Sequence, residues 1–409
     1  MPAAIVSAEK CGFYEKILLG TLSRMPYGKL SLTLPSGFTH HIGDGKGIEA
    51  DITVSNPDFF RRCVLFGDIG FGEAYVDGLW ETPDVSNVIK WFIQNIEFTP
   101  GASGSKVKGF ALNLLKFWNQ ISHWRRANSI EGSKENISRH YDLNNDFFSL
   151  FLDPTMTYSC AYFTREGESL KEAQISKYDR LCREMKLMPG MSVLEIGSGW
   201  GGNAIHMAKR YGVNVTSVTI SKEQKRMADE RIVEAGLEGK IIVELKDYRE
   251  LSGKFDRIVS IEMLEAVGDA YIDVYFKKCH DLLKKDGMLA LQTIVCHDSR
   301  YEELRKGVDW IQKHIFPGSL LPSVARINKA INNTGNLTMV NLKEMGLHYA
   351  RTLQCWQEAF NAQCEEVKKL GFDEAFVRKW NYYLSYCEAA FSMRNINVMQ
   401  MVYSRPNSN

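Results

Sequence analysis

The chain has 409 residues, 44% of them hydrophobic and 24% charged, with 50 Lys and Arg against 49 Asp and Glu for a net charge of +1. That balance excludes a polycation built to grip nucleic acid and a disordered acidic tail, and the length fits about two or three domains. Nine scattered cysteines without a C-x-x-C pair argue against a disulfide framework or zinc knuckle and for a reducing compartment. No apolar run reaches the roughly 18 residues of a membrane span, and the opening MPAAIVSAEKCGFYEK lacks the plan of a signal peptide, so a cytoplasmic location is expected.

Short alternating runs at 28–34 and 50–54, set among Gly, Pro and Asp, predict a small β-containing module over 26–82. Val85, Val88, Ile89, Phe92 and Ile93 recur at helical spacing after Pro83. The run TPGASGS at 99–105 then reads as a linker ending a first domain, 1–98. Segment 106–128 carries Lys106, Lys108, Lys116, Arg125 and Arg126 without an acidic residue, interleaved with Phe110, Phe117, Trp118 and Trp124. Such a helix suits the headgroup layer of an anionic membrane, and it equally suits an interdomain helix whose apolar face is core.

From Leu187 onward, candidate strands at 191–196, 213–218, 241–245, 255–261 and 288–293 alternate with helical patterns at 222–235 and 271–284. Repeated βα units predict an α/β, doubly wound Rossmann-like domain, preceded here by a smaller N-terminal α+β domain. The strand 193–196 runs into Gly197-Ser198-Gly199-Trp200-Gly201-Gly202 and then a helix, the context in which glycines let a backbone approach a ligand. The spacing departs from G-x-G-x-x-G at its last position, and Glu195 stands where a carboxylate can face an ammonium group. After the next strand come the neutral Thr219, Ser221 and Gln224, where a dinucleotide site would have an acid for the ribose. The pattern therefore favours a methyl-donor nucleoside.

Ordered motifs extend this reading: YDLNNDFF at 141–148, YSCAYF at 158–163, LEIGSGWGG at 194–202, TISKEQ at 219–224, EAVG at 265–268, FPG at 316–318, LPS at 321–323, and W-x-Y-Y-L-x-x-C with Phe391 from 380. In these the chain resembles the cyclopropane fatty acid synthases and mycolic acid methyltransferases, which use S-adenosylmethionine. The likeness covers 136–409 as a catalytic domain, with 99–135 as linker and basic helix. Region 67–83 looks like the N-terminal, lipid-associated domain of longer members.

The resemblance implies a donor pocket lined by Tyr158, Ser159, Glu195, Gly197, Gly199, Trp200, Gly201, Thr219, Ser221 and Gln224, with Asp247 and Tyr248 at the adenine. It also implies a bound bicarbonate ion as base, held by Cys160, Glu265, Gln292, the backbone at Ile294, and Tyr349. Glu265 would take the hydroxyl hydrogen of the ion, and Tyr349 and backbone N–H groups would donate to it. At Gln292 the family often has histidine; an amide donates a hydrogen bond but takes no proton near neutrality. His140, His297, His314 and His348 have no metal-ligand spacing, and no metal is invoked.

The implied reaction is methylene transfer to a cis double bond in membrane phospholipid acyl chains, by a homodimer at the inner membrane face and without nucleic acid. Methyl or methylene addition without ring closure, a silent lipid-binding protein, and a small-molecule N- or O-methyltransferase are the alternatives.

Overall fold

The computed structural model describes residues 12–98 and 145–406. Segment 106–128 and the first residues of the 141–148 motif lie outside the described residues. The chain divides into two compact units, the described parts of which are 12–98 and 145–406.

In the first unit, strands β1 (Lys29–Thr33), β2 (Thr39–Ile42), β3 (Glu49–Val54) and β4 (Trp80–Glu81) form a sheet in the order β2-β1-β3-β4. Strict alternation explains β1 and β3: Leu30, Leu32, Ala50, Ile52 and Val54 point inward, the residues between them outward. The predicted helix after Pro83 is Val85–Gln94, capped by Asp84.

The reading of 26–82 as β-containing missed one element, the helix Asp58–Val76. Its glycines look like turn punctuation, but Gly70 answers a different need. A Cβ there would lie 2.2 Å from the carbonyl oxygen of Arg62, so only glycine lets the two segments on either side of the kink at Gly67 approach. Phe59, Phe71 and Tyr75 then pack around the fully buried Trp80, whose Nε1 donates to the Phe71 carbonyl at 3.1 Å.

The second unit is built on seven strands in the order β7-β6-β5-β8-β9-β11-β10. These are β5 (Ser192–Ile196), β6 (Asn214–Thr219), β7 (Ile241–Leu245), β8 (Phe255–Ile261), β9 (Leu283–Val295), β10 (Thr338–Glu344) and β11 (Asn397–Ser404). β5 to β9 pair in parallel, and β11 pairs antiparallel with both β9 and β10. Successive residues feed opposite faces: Leu194, Ile258, Leu289 and Leu291 enter one core, Val193, Val259, Met288 and Ala290 the other.

The five candidate strands are all present: β7 and β8 have the expected bounds, β5 and β6 differ by one residue, and β9 is longer than expected. β10 and β11 complete the sheet without having been foreseen. From β5 the chain winds outward through β6 and β7, then returns to place β8 on the opposite side of β5. The loops after β5 and β8 therefore diverge at the switch point, where doubly wound sheets open a crevice.

Two further helices, Gly346–Ala362 and Glu374–Ser392, pack on each other and bring Tyr349, Trp356, Tyr383 and Phe391 inward. Among the described residues no helix is long and apolar enough to cross a membrane.

Candidate active site

The loop after β5 carries Gly197, Gly199 and Gly201 at φ of 98°, 48° and 84°, values that a side chain resists. The N–H groups of Gly197 and Ser198 both donate to the Val218 carbonyl, which pins the turn to β6. A Cβ on Gly197 would sit 3.4 Å from that of Met263, in the loop after β8. The two loops thus meet at the switch point, and Gly197, Gly199 and Met263 keep partial access there.

Glu195 lies near the end of β5, just before the turn. Its carboxylate is turned into the fold, 3% exposed, and accepts from Asn203 Nδ2 at 2.8 Å and from Ser217 Oγ. Held by these two donors, it braces the turn from below. Trp200, 2% exposed, donates through Nε1 to Asn145 at 2.8 Å and packs on Phe148. Thr219 donates to Gln224 Oε1 at 2.8 Å, and Ser221 caps the helix Lys222–Glu234. Asp247 is 3% exposed and bidentate with Arg249, which also lies over the ring of the partly exposed Tyr248.

Tyr158 and Ser159 fall beside a second layer. Tyr158 shares a hydrogen bond with Tyr383 at 2.8 Å, and Ser159 Oγ accepts from the fully buried Lys177 at 2.8 Å. Tyr382, Tyr383 and Phe391 are core residues by burial. Tyr383 and Phe391 nevertheless touch the site, Phe391 through the ring of Tyr349 at 4.6 Å.

The five residues expected around one anion separate into two groups. Ile294 N–H and Thr293 Oγ1 donate to Glu265 Oε1, while Glu265 Oε2 is buried without a hydrogen-bond partner. The main-chain N–H of Cys160, Gln292 Nε2 and the Tyr349 hydroxyl converge instead on Glu262, at 2.9, 2.8 and 3.0 Å. Sequence reasoning missed Glu262, Thr293 and Lys177. The available signal for Glu262 was its place as the first residue past a parallel strand at the switch point. The Cys160 thiol is buried and held protonated, its acidity weakened by burial and by nearby Glu262, which fits a lining residue and not a nucleophile.

Burial raises the Glu195 carboxyl to about 7 and that of Glu265 to about 8, from the ordinary 4.5. At these two groups the folded protein therefore holds more protons than the unfolded chain, so their contribution to stability is fully present below 4.5 and is lost as pH rises to about 8. Lys177, lowered by burial from 10.5 to about 8, reverses the trend only above that pH. The contribution of these groups to the unfolding free energy from urea titrations should drop from about pH 5.5 to 8 by up to about 1.4 kcal/mol per pH unit per group, and Glu265→Gln should flatten the slope.

A family profile described as mycolic acid cyclopropane synthetase matches residues 128–401. The chain belongs to this family. It is 40% identical over 361 residues to cyclopropane-fatty-acyl-phospholipid synthase of Escherichia coli K12, covering 87% of this chain and 88% of that protein. It is 34% identical to a tuberculostearic acid methyltransferase of Mycobacterium tuberculosis, over 99% of this chain and 94% of the other. Among solved structures, a mycolic acid cyclopropane synthase complexed with SAH and CTAB superposes with a TM-score of 0.62 at 33% identity, covering 66% of this chain and 98% of that one. The chain is an S-adenosylmethionine-dependent methyltransferase of the cyclopropane synthase family, and its second unit has the Rossmann-like fold that the sequence predicts.

Proposed function

We propose that this protein is a cyclopropane-fatty-acyl-phospholipid synthase, adding a methylene bridge across a cis double bond of membrane phospholipid acyl chains. The observation that carries the reading is the pairing, at one switch point, of a glycine turn for a nucleoside donor with buried carboxylates beside it. Simple N- or O-methylation leaves no carbocation, because a heteroatom lone pair attacks, and the only proton to remove is one on that heteroatom.

Bound S-adenosylmethionine supplies an electrophilic methyl group. The turn 197–201 offers it backbone contact at no side-chain cost, Gln224 keeps its NH2 for the ribose, and Tyr248 presents a ring edge to the adenine. Asp247, locked by Arg249, holds the Tyr248 loop in place. The aromatic layer of Phe148, Tyr158, Trp356 and Tyr383 excludes water that would quench a cation and holds the alkene close to the donor. The substrate resides in a bilayer, so the enzyme works as a peripheral protein on the cytoplasmic leaflet, where the basic segment 106–128 gives electrostatic attraction. A homodimer suits such work by letting one subunit anchor while another acts.

A second reading, addition of a methyl or methylene branch without ring closure, draws on Gln292 and on the likeness to the tuberculostearic acid methyltransferase. Expression in a host lacking cyclopropane lipids, followed by mass spectrometry of its fatty acids, tests both. The expected product gains one methylene and resists mild reduction. A reducible product favours the second reading, and no gain on unsaturated chains contradicts both.

A further inference from the structure

We propose that the Glu262 carboxylate is the base that removes the proton from the methylated chain, in place of the bicarbonate ion that the family resemblance implies. The inference rests on the alkene-methylating reading above and deepens it.

The polarity of a buried hydrogen-bond chain requires Glu262 to be an acceptor. Arg180, which can only donate, gives one bond to Gln400 Oε1 at 2.7 Å. Gln400 Nε2 then donates to Gln292 Oε1 at 2.8 Å, so Gln292 must turn its NH2 toward Glu262 Oε1. With the Cys160 N–H on the same oxygen and the Tyr349 hydroxyl on Oε2, the cluster presents three donors and no acceptor. Such an arrangement suits an ionised carboxylate.

The same arrangement leaves no room for an exogenous anion. Cys160, Gln292 and Tyr349 are committed to Glu262, and the Ile294 N–H to Glu265. A bicarbonate would find these donors taken and two protein carboxyl groups beside it. The residues present do not fit the ion, because Glu262 already occupies the role in covalent form.

Glu262 is also placed to reach the reacting carbon. Its backbone sits at φ of 48°, an unusual state for a residue with a side chain and one that persists only where the surroundings hold it. Its N–H donates to the Gln292 carbonyl at 2.7 Å, which fixes that conformation. Met263 follows at once and meets the Gly197 turn. Deep as it lies, Glu262 keeps part of its surface accessible, whereas Gln292 is 1% exposed.

The step balances without another reagent. The alkene π pair forms a bond to the methyl carbon while the C–S pair stays with sulfur, leaving a thioether and a carbocation on the acyl chain. The electron pair of a C–H bond on the added carbon then closes the ring, and that proton passes to Glu262, giving a neutral acid. Loss of the proton to water restores the carboxylate. The groups facing it are Lys177, Glu265, Cys160 and Tyr349. Burial raises the Glu262 carboxyl, against the Gln292 and Cys160 bonds and the Lys177 charge, which makes it a better proton acceptor than an ordinary carboxylate.

The test uses the purified full chain, S-adenosylmethionine and vesicles of a monounsaturated phospholipid. Wild-type product formation in buffer stripped of carbon dioxide should equal that with added bicarbonate, and 13C NMR with labelled bicarbonate should give no bound line. Glu262→Gln should lower kcat by about a hundredfold or more while S-adenosylhomocysteine affinity measured by calorimetry stays within about twofold of wild type. Added formate or bicarbonate should restore part of the activity of Glu262→Ala. A bicarbonate-dependent wild type, or a Glu262→Gln variant with undiminished kcat, overturns the inference and leaves the synthase reading standing. A wild-type protein that transfers nothing to the lipid overturns the synthase reading, and the inference with it.

Discussion

Tyr349→Phe is expected to lower kcat by about 10- to 100-fold while S-adenosylhomocysteine affinity stays within about twofold of wild type. The tyrosine hydroxyl donates to Glu262 Oε2 at 3.0 Å, and a hydrogen bond to a charged group contributes about 1.5–3 kcal/mol. Its ring packs on Phe391 at 4.6 Å and edge-on against Trp356, contacts that phenylalanine keeps. The loss therefore falls on the orientation and charge of the base and not on the fold or the donor turn. Steady-state kinetics with calorimetry separate these outcomes. A parallel loss of affinity and melting temperature would mean that Tyr349 is only a core residue.

The second large effect is on stability. Lys177 is fully buried, held by Ser159 Oγ at 2.8 Å and stacked over Tyr178 at 4.5 Å, and its charge faces Glu262, Asp153 and Glu195. Lys177→Met keeps much of the volume but leaves those carboxyl groups without their buried cation. Breaking such an arrangement costs about 3–5 kcal/mol. Urea unfolding at neutral pH should show that loss, and it should shrink in mildly acidic buffer as Glu195 takes a proton. A pH-independent loss would indicate packing alone.

The catalytic unit was legible wherever chemistry is local in sequence. Each of the five predicted strands carries its own apolar run, and the Gly197–Gly201 turn announces itself because positive φ demands glycine at fixed spacing. β10 and β11 escaped because they are joined to the sheet by pairing across long intervals: β10 is an edge strand with half its residues open, and β11 mixes Asn, Gln and Met into its run. The helix Asp58–Val76 was hidden by glycines that serve close backbone approach.

The site was legible in part for the same reason. Glu265 and Cys160 lie in recognisable motifs, whereas the partners of Glu262 come from positions 160, 292 and 349. The chain that orients Gln292 runs through Arg180 and Gln400. No local pattern connects those residues; only the fold does. Sequence reading therefore gathered Cys160, Gln292 and Tyr349 around one anion, and the fold gathers the same three on the Glu262 carboxylate.

The most direct measurement uses the purified protein, S-adenosylmethionine deuterated on its methyl group, and vesicles of a monounsaturated phospholipid, with mass spectrometry of the released fatty acids before and after mild hydrogenation. Ring closure through loss of a proton from the added carbon predicts a product that retains two of the three deuterium atoms and does not change on hydrogenation. A product retaining all three, or one that takes up hydrogen, would contradict cyclopropanation.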